Sequence, residues 1–148
     1  MTERQQIEHA LATRMSPIAR GWQRLADAAL ASLGISNSSG WTLVHLERLG
    51  PETRQRELAR AIGVSEASLV RTLHQLERAG LMVRRTDPDD RRTNRLALTK
   101  AGVALAARID ARLIALRHEL LDGIAEEDIA TTVRVLDTVA ARIAERRP

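Results

Sequence analysis

The residues best suited to chemistry in this sequence share one face of a segment that begins near residue 65. Three leucines at helical spacing mark its inward face: Leu69, Leu73 and Leu76. The N-terminal half of the opposite face carries small or polar side chains around one arginine. The residues of this face are Ala67, Ser68, Arg71, His74, Gln75 and Arg78. Small side chains let a helix enter a DNA major groove, where Arg71 can reach a guanine edge or a phosphate. The candidate DNA contacts are Ser65, Ala67, Ser68, Arg71 and Gln75, and the alternative is an ordinary solvated helix face.

A second charged group lies in the loop 86–94, between two short strand candidates. Arg91 and Arg92 fall at the hairpin tip, beside Asp90. An arginine presented in this way fits a narrow A·T-rich minor groove, where the negative potential is enhanced. We assign Asp90 to orienting Arg92, and Asp87–Pro88 to turn formation. The alternative is a charged turn, because neighbouring aspartates ordinarily repel phosphate.

The distribution of charge favours an anion-binding surface in this part of the chain. The sequence has 23 basic and 19 acidic residues, a net charge of +4. Residues 51–100 hold 11 basic and 7 acidic residues, whereas the rest of the chain holds 12 of each. The whole excess therefore lies in the segment that contains both candidate groups.

Several function classes are excluded by composition. The chain has no cysteine, which excludes disulfides, thiolate zinc sites and thiol catalysis. Its aromatic residues are Trp22 and Trp41, too few for a stacking reader of single strands. The histidines have no metal-ligand spacing, and no phosphate loop or nucleophile elbow is present. We therefore expect a protein that is not an enzyme and that has no cofactor, metal site or membrane span. We expect it to be soluble and cytoplasmic, and to associate with the nucleoid when it binds DNA.

Apolar residues at helical spacing predict the elements that position these groups. Ile7 to Ala29 forms one stripe, which Ser16–Pro17 divides into a short helix and a longer one, as an N-cap and first-turn proline would. Residues 36–40 form a polar turn before a helix over Trp41–Leu49.

The next elements are typical of a helix-turn-helix followed by a wing. A compact helix over 54–62, a turn at Gly63 and a helix from Ser65 to Ala79 precede strands at 81–85 and 95–98. Two longer helices follow, the first capped by Thr99 and the second after Gly123. Their apolar stripes are too wide for the small middle unit to cover, so we predict an intertwined homodimer.

These motifs resemble the MarR family of winged-helix regulators, and most closely its SlyA branch. The resemblance is carried by Arg56–Ala59, Ser68–Arg71, Asp90–Arg92 and Leu98–Thr99 with Gly102. It implies a dimer on a pseudo-palindromic DNA site, with the second helix of the motif in the major groove and the wing in the minor groove. Arg71 and Arg92 match the groove-reading arginines of such proteins, and Asp90 matches the residue that orients the wing.

The resemblance also implies a cleft for a small aromatic carboxylate. Arg20, Trp22, His45 and Thr72 match positions that line this cleft in SlyA-like proteins. A cation and an imidazole suit a carboxylate, and an indole face suits an aryl ring. The alternative is that Trp22 belongs to the core and His45 is a buried capping residue.

The predicted architecture is mainly α with a small β-hairpin wing: four helices, a strand, the wing, a strand and two helices. Residues 1–35 and 100–148 are the predicted dimerisation helices, and residues 36–99 the winged helix-turn-helix. The predicted function is a homodimeric, sequence-specific regulator that binds double-stranded DNA and responds to an aromatic acid. The alternative is a winged helix used for protein–protein contact without DNA affinity.

Overall fold

A computed structural model describes residues 1–146 and contains six helices and three strands within them. The elements are α1 (Glu3–Ala31), α2 (Asn37–Leu49), β1 (Thr53–Arg54), α3 (Gln55–Ile62), α4 (Glu66–Arg78), β2 (Met82–Thr86), β3 (Asn94–Leu98), α5 (Lys100–Leu121) and α6 (Glu126–Ala144). The strands form an antiparallel sheet of order β1-β3-β2. This arrangement confirms the predicted fold class, a mainly helical chain with a small hairpin wing.

The chain divides into two compact units, and the first of them, Met1–Leu116, holds the core. Its fully buried apolar side chains come from the elements α1 through α5: Leu30, Leu43, Leu46, Leu58, Leu73, Leu76, Met82, Leu96 and Ile109. The second unit begins at Arg117, and no residue of its helix α6 is fully buried. None of the helices within residues 1–146 combines the length and apolar character needed to cross a lipid bilayer.

The prediction that the N-terminal helix breaks at Ser16–Pro17 is wrong. α1 is continuous over Glu3–Ala31, and Pro17 lies inside it. Proline lacks one backbone N–H, so the Thr13 carbonyl loses its usual intrahelical partner. α1 nevertheless continues through Pro17 to Ala31, and Thr2 begins it with a capping box.

The predicted polar turn at residues 36–40 is also wrong. Ser36 is the N-cap of α2, its hydroxyl accepts a hydrogen bond from the Ser39 backbone N–H, and the helix already begins at Asn37. Gly40 lies within this helix for a packing reason. A Cβ at Gly40 would lie 2.5 Å from Cδ2 of Leu30, a fully buried side chain that would have to shift. Glycine therefore allows α1 and α2 to pack closely.

The strand β1 was not predicted, since two residues are too few to show a periodic pattern. Thr53 pairs with Leu96, and Arg54 pairs with Arg95. Glu52 precedes the strand with a φ of 65°, in the left-handed region that favours glycine. The result is a third strand that joins the start of α3 to the base of the wing.

Candidate nucleic-acid interface

The helix α4 is built so that one face packs on the core and the other faces solvent. Leu69, Leu73 and Leu76 are buried, at 2% exposure or less. The predicted contact residues Ala67, Ser68, Arg71 and Gln75 are all exposed. The leucine spacing therefore presents these side chains together on one solvent face, as the sequence predicts.

The start of α4 is fixed by Ser65 and Ser68. The Ser65 hydroxyl accepts a hydrogen bond from the Ser68 backbone N–H at 3.1 Å, and the two hydroxyl oxygens lie 2.7 Å apart. Gly63 supplies the left-handed turn before the helix, with a φ of 83°. Ser65 is thus an N-cap, and both hydroxyls remain exposed at the helix N-terminus, where the backbone favours anions.

Most acidic side chains of residues 51–100 form ion pairs with arginines of the three strands. Ion pairs join Arg54 to Asp87, Arg84 to Glu77, Arg85 to Glu52, and Arg95 to Glu52, Asp87 and Asp89. By contrast, no described carboxylate oxygen lies within 4.0 Å of the guanidinium of Arg71, Arg91 or Arg92. Arg71, Arg91 and Arg92 therefore present unpaired positive charge on the face of α4 and at the tip of the wing. The same criterion also leaves four exposed cations of this segment without an ion pair: Arg56, Arg60, Arg78 and Lys100.

Asp87 anchors the base of the wing, a role that sequence reasoning missed. Its side chain is fully buried. The Arg95 side chain donates a hydrogen bond to Asp87 Oδ1 at 3.2 Å, and the Asp89 backbone N–H donates to the same oxygen at 2.9 Å. These bonds, the Arg95 bond above all, lower the pKa of Asp87 to about 2. Asp87 is therefore ionised and does much more than form a turn.

Asp90 acts on the backbone of the wing tip. Its Oδ1 accepts a hydrogen bond from the Arg92 backbone N–H at 3.0 Å, and its carbonyl oxygen accepts one from the Thr93 backbone N–H. This is the Asx-turn geometry expected of an aspartate in a tight loop. Asp90 thus positions Arg92 through the main chain, and the Arg92 side chain remains exposed.

A cavity of about 610 Å³ lies in the first unit, against the side of α4. It is lined by residues of α1, α2, the end of α3 and α4: Gln23, Asp27, Asn37, Ser38, Trp41, Thr42, His45, Ile62, Val64, Ser68, Leu69 and Thr72. Of the four predicted effector residues, His45 and Thr72 are brought together here. Arg20 and Trp22 are not among the lining residues; the Arg20 side chain instead donates a hydrogen bond to the Ser16 hydroxyl.

Asp27 and Trp41 are lining residues that sequence reasoning missed. The Trp41 Nε1 donates a hydrogen bond to Asp27 Oδ1 at 3.1 Å, and Gln23 Nε2 donates to the same oxygen at 2.9 Å.

Burial, with a smaller contribution from the charge of Arg48, lowers the pKa of His45 below its usual value. No group of three His, Asp or Glu side chains among residues 1–146 is placed to hold a metal ion.

Comparison with known proteins decides the family. Residues 35–93 match the MarR family. The transcriptional regulator PA3341, whose structure is solved, is 34% identical, with 92% of this chain and 99% of that chain covered and a TM-score of 0.80. The chain belongs to the MarR family of transcriptional regulators.

Other solved MarR-family structures share this fold. A MarR-family transcriptional regulator from Rhodococcus sp. RHA1 is 25% identical over 90% of this chain and 94% of its own, with a TM-score of 0.76. A mutant MarR from E. coli, solved in complex with operator DNA, is 23% identical over 88% of this chain and 93% of its own, with a TM-score of 0.75. The fold of this MarR-family chain is therefore one on which a DNA complex has been observed.

Proposed function

We propose that the chain binds double-stranded DNA as a homodimer, on an A·T-rich pseudo-palindromic site. The observation that carries this proposal is the separation of charge within residues 51–100. Carboxylates neutralise the arginines of the sheet, whereas Arg71 on α4 and Arg91 and Arg92 on the wing have no such partner among the described residues. Cations left unpaired on an exposed helix face and loop tip are the groups that phosphates and base edges attract.

Each element has a distinct role in this proposal. α4 enters the major groove, where Arg71 and Gln75 face base edges and the small side chain of Ala67 permits close approach. Ser65 and Ser68 lie at the helix N-terminus, where backbone N–H groups favour a phosphate. Arg92 enters the minor groove from the wing tip, with Arg91 beside it and Asp90 setting the loop conformation. The complex of the E. coli MarR mutant with operator DNA supports DNA binding by this fold.

The dimer is proposed from apolar side chains that each unit leaves exposed. On α1 these are Ile7, Leu11, Met15, Ile18 and Leu25, with exposures between 37% and 63%. On α6 they include Val133, Leu136 and Ile143. Apolar stripes of this length mark interaction surfaces, and a second copy of the chain supplies matching ones. Residues 1–35 and 100–148 are accordingly the proposed dimerisation regions, and residues 36–99 the DNA-binding region.

A small effector is proposed to act through the cavity beside α4. Ser68, Leu69 and Thr72 line the cavity on either side of Arg71, so a ligand there contacts the helix that carries the groove-reading side chain. Two recognition helices must lie about 34–36 Å apart to occupy successive major grooves. A ligand that moves α4 changes this separation and lowers DNA affinity. The resemblance to SlyA-like proteins implies an aromatic acid as the effector and Arg20, Trp22, His45 and Thr72 as its contacts. Of these four residues, His45 and Thr72 line the cavity.

The finer placement in the SlyA branch rests on the sequence motifs. Leu58–Gly63 followed by Ser68–Leu73 resembles that branch, and these residues form α3, the turn and α4. We propose that the chain reads the DNA grooves in the same way as SlyA-like proteins, with Arg71 and Arg92 as the main side chains that contact DNA.

Selection of bound fragments from random duplex DNA by the purified protein tests the proposal. We expect enrichment of one A·T-rich sequence with two inverted half-sites centred about one helical turn apart. Enrichment of a single unpaired half-site would contradict the dimeric arrangement. Failure to enrich any sequence would contradict DNA binding, and would favour a winged helix used for protein–protein contact.

A further inference from the structure

The cavity beside α4 carries negative charge. Among the described residues that line the cavity, Asp27 is the only aspartate, glutamate, lysine or arginine. The other titratable lining residue is His45. Since burial and the nearby charge of Arg48 lower the pKa of His45, its imidazole is neutral near pH 7. No positive charge therefore balances Asp27 within the lining.

The Asp27 carboxylate is held in a fixed orientation with one oxygen left over. Trp41 Nε1 and Gln23 Nε2 both donate to Oδ1, at 3.1 and 2.9 Å, and neither bond uses Oδ2. A carboxylate positioned by two donors loses little further freedom when it binds a partner. Oδ2 is thus available to accept hydrogen bonds from a ligand, and a positively charged donor forms the strongest ones.

The surroundings of Asp27 suit a flat apolar group. The half-buried indole of Trp41 adjoins the carboxylate through its own N–H group, and Ile62, Val64 and Leu69 supply apolar lining. The volume of about 610 Å³ falls within the range of small-molecule sites.

We propose that this cavity binds a small aromatic cation, a one- or two-ring aryl group that carries an amine or amidine. The positive group pairs with Asp27, and the ring packs against Trp41 and the apolar lining. An aromatic carboxylate places a second negative charge beside Asp27 and finds no cation among the described lining residues. This inference rests on the effector-binding part of the proposed function, and it assigns to the effector the opposite charge from the one that the resemblance to SlyA-like proteins implies.

Isothermal titration with three ligands that share one ring tests the charge preference: benzamidine as the cation, benzamide as the neutral analogue and benzoate as the anion. The titrations use the full-length wild-type protein without DNA. The variant Asp27→Asn removes the charge and keeps an acceptor for Trp41 and Gln23. The variant Glu8→Gln makes the same charge change on α1, at an exposed residue outside the cavity that pairs with Arg4. Thermal melting confirms that both variants fold.

We expect the wild type to bind benzamidine at least tenfold more tightly than benzamide, and benzoate most weakly. Asp27→Asn should lose at least tenfold in benzamidine affinity and keep its benzamide affinity, and Glu8→Gln should match the wild type. Tighter binding of benzoate than of benzamidine, unchanged benzamidine affinity in a folded Asp27→Asn, or no binding of any ligand at millimolar concentration would overturn the proposal. The titrations contain no DNA, so their outcome does not depend on DNA binding. If the protein binds the three ligands in this order of affinity but enriches no DNA sequence in the selection experiment, only the proposal of a DNA-binding regulator is contradicted.

Discussion

Arg95 Nε lies 3.1 Å from Oδ2 of Asp87, in a contact where the Asp87 side chain has no solvent exposure. This Nε contact is an ion pair that lacks hydrogen-bond geometry. The hydrogen bond between the two side chains is donated by Arg95 Nη2 to Asp87 Oδ1, at 3.2 Å. Arg54 Nε lies 3.3 Å from the same Oδ2. One buried carboxylate thus joins β1, β3 and the wing loop.

Replacing Asp87 by asparagine should destabilise the protein and change its response to acid. The pKa of Asp87 is lowered from 3.8 to about 2, so the ionised carboxylate stabilises the folded state at every pH above 3.8, and this stability is lost as the pH falls through about 2. We expect circular dichroism to show a Tm that falls over this range in the wild type. Asp87→Asn should melt at a lower temperature at neutral pH and show a flatter acid profile.

Asp89→Asn is the matched control for that experiment. The Asp89 side chain is 81% exposed and pairs with Arg95 at 3.5 Å, so it contributes little in water. It should keep both the Tm and the acid profile of the wild type. An Asp87→Asn protein that melts as the wild type does would contradict the anchoring role of Asp87.

Gly102→Ala should destabilise the first unit through a collision with the main chain. A Cβ at this position would lie 1.9 Å from the Leu81 carbonyl oxygen, which accepts a hydrogen bond from the Thr99 backbone N–H. Overpacking of this kind lowers the free energy of unfolding by about 1–3 kcal/mol or more. Urea unfolding should show the loss as a lower midpoint.

Gly21→Ala is the control for a methyl group added where space exists. Gly21 lies within α1, and a Cβ there would lie 3.7 Å from the end of the Arg24 side chain, an ordinary van der Waals distance. Alanine is favoured over glycine in a helix interior by about 0.5–1 kcal/mol, so the urea midpoint should stay level or rise. Equal losses in both variants would contradict the collision with the Leu81 carbonyl as the cause of the loss in Gly102→Ala.

Arg71→Ala separates base reading from phosphate binding on α4. If Arg71 contacts a base edge, the variant should lose about 1–3 kcal/mol of discrimination at one position of the site. If it holds a phosphate, affinity should fall equally for all sequences. Binding titrations on the selected site and its single-base variants distinguish the two, and wild-type affinity for every sequence would remove Arg71 from the interface.

Arg92→Ala should weaken binding to every site, and to A·T-rich sites most, because a narrow minor groove attracts an inserted arginine strongly. Dimerisation, measured by analytical ultracentrifugation, should not change. Arg85→Ala is the matched control, since Arg85 lies on the same hairpin but pairs with Glu52 at 3.9 Å. Equal losses of DNA affinity in the two variants would contradict a specific role for the wing tip.

The helix-turn-helix was predictable because its signals are local. Leu69, Leu73 and Leu76 recur at helical spacing, Gly63 marks the turn and Ser65 the cap, and the structure places all of them as predicted. In these residues the periodic pattern and the capping chemistry point to the same boundaries. The exposed face of α4 follows directly.

What could not be predicted depends on contacts between residues distant in sequence. Asp87 is followed by proline and resembles a turn residue, and its buried role appears only when Arg54 and Arg95 are brought to it. Asp27 and Trp41 belong to different helices, and the spacing of neither indicates a shared hydrogen bond. Ser16–Pro17 indicates the start of a new helix by local rules, yet α1 runs through both residues without a break.

The decisive measurement for DNA binding is the salt dependence of the affinity for the selected duplex, followed by fluorescence anisotropy. We expect log K to fall linearly with log salt, with a slope of about −0.9 for each phosphate neutralised. Arg92→Ala should reduce the steepness of this slope, whereas Arg85→Ala should leave it unchanged. A wild-type affinity that does not vary with salt, or a slope that Arg92→Ala leaves intact, would contradict DNA binding through the unpaired arginines of α4 and the wing.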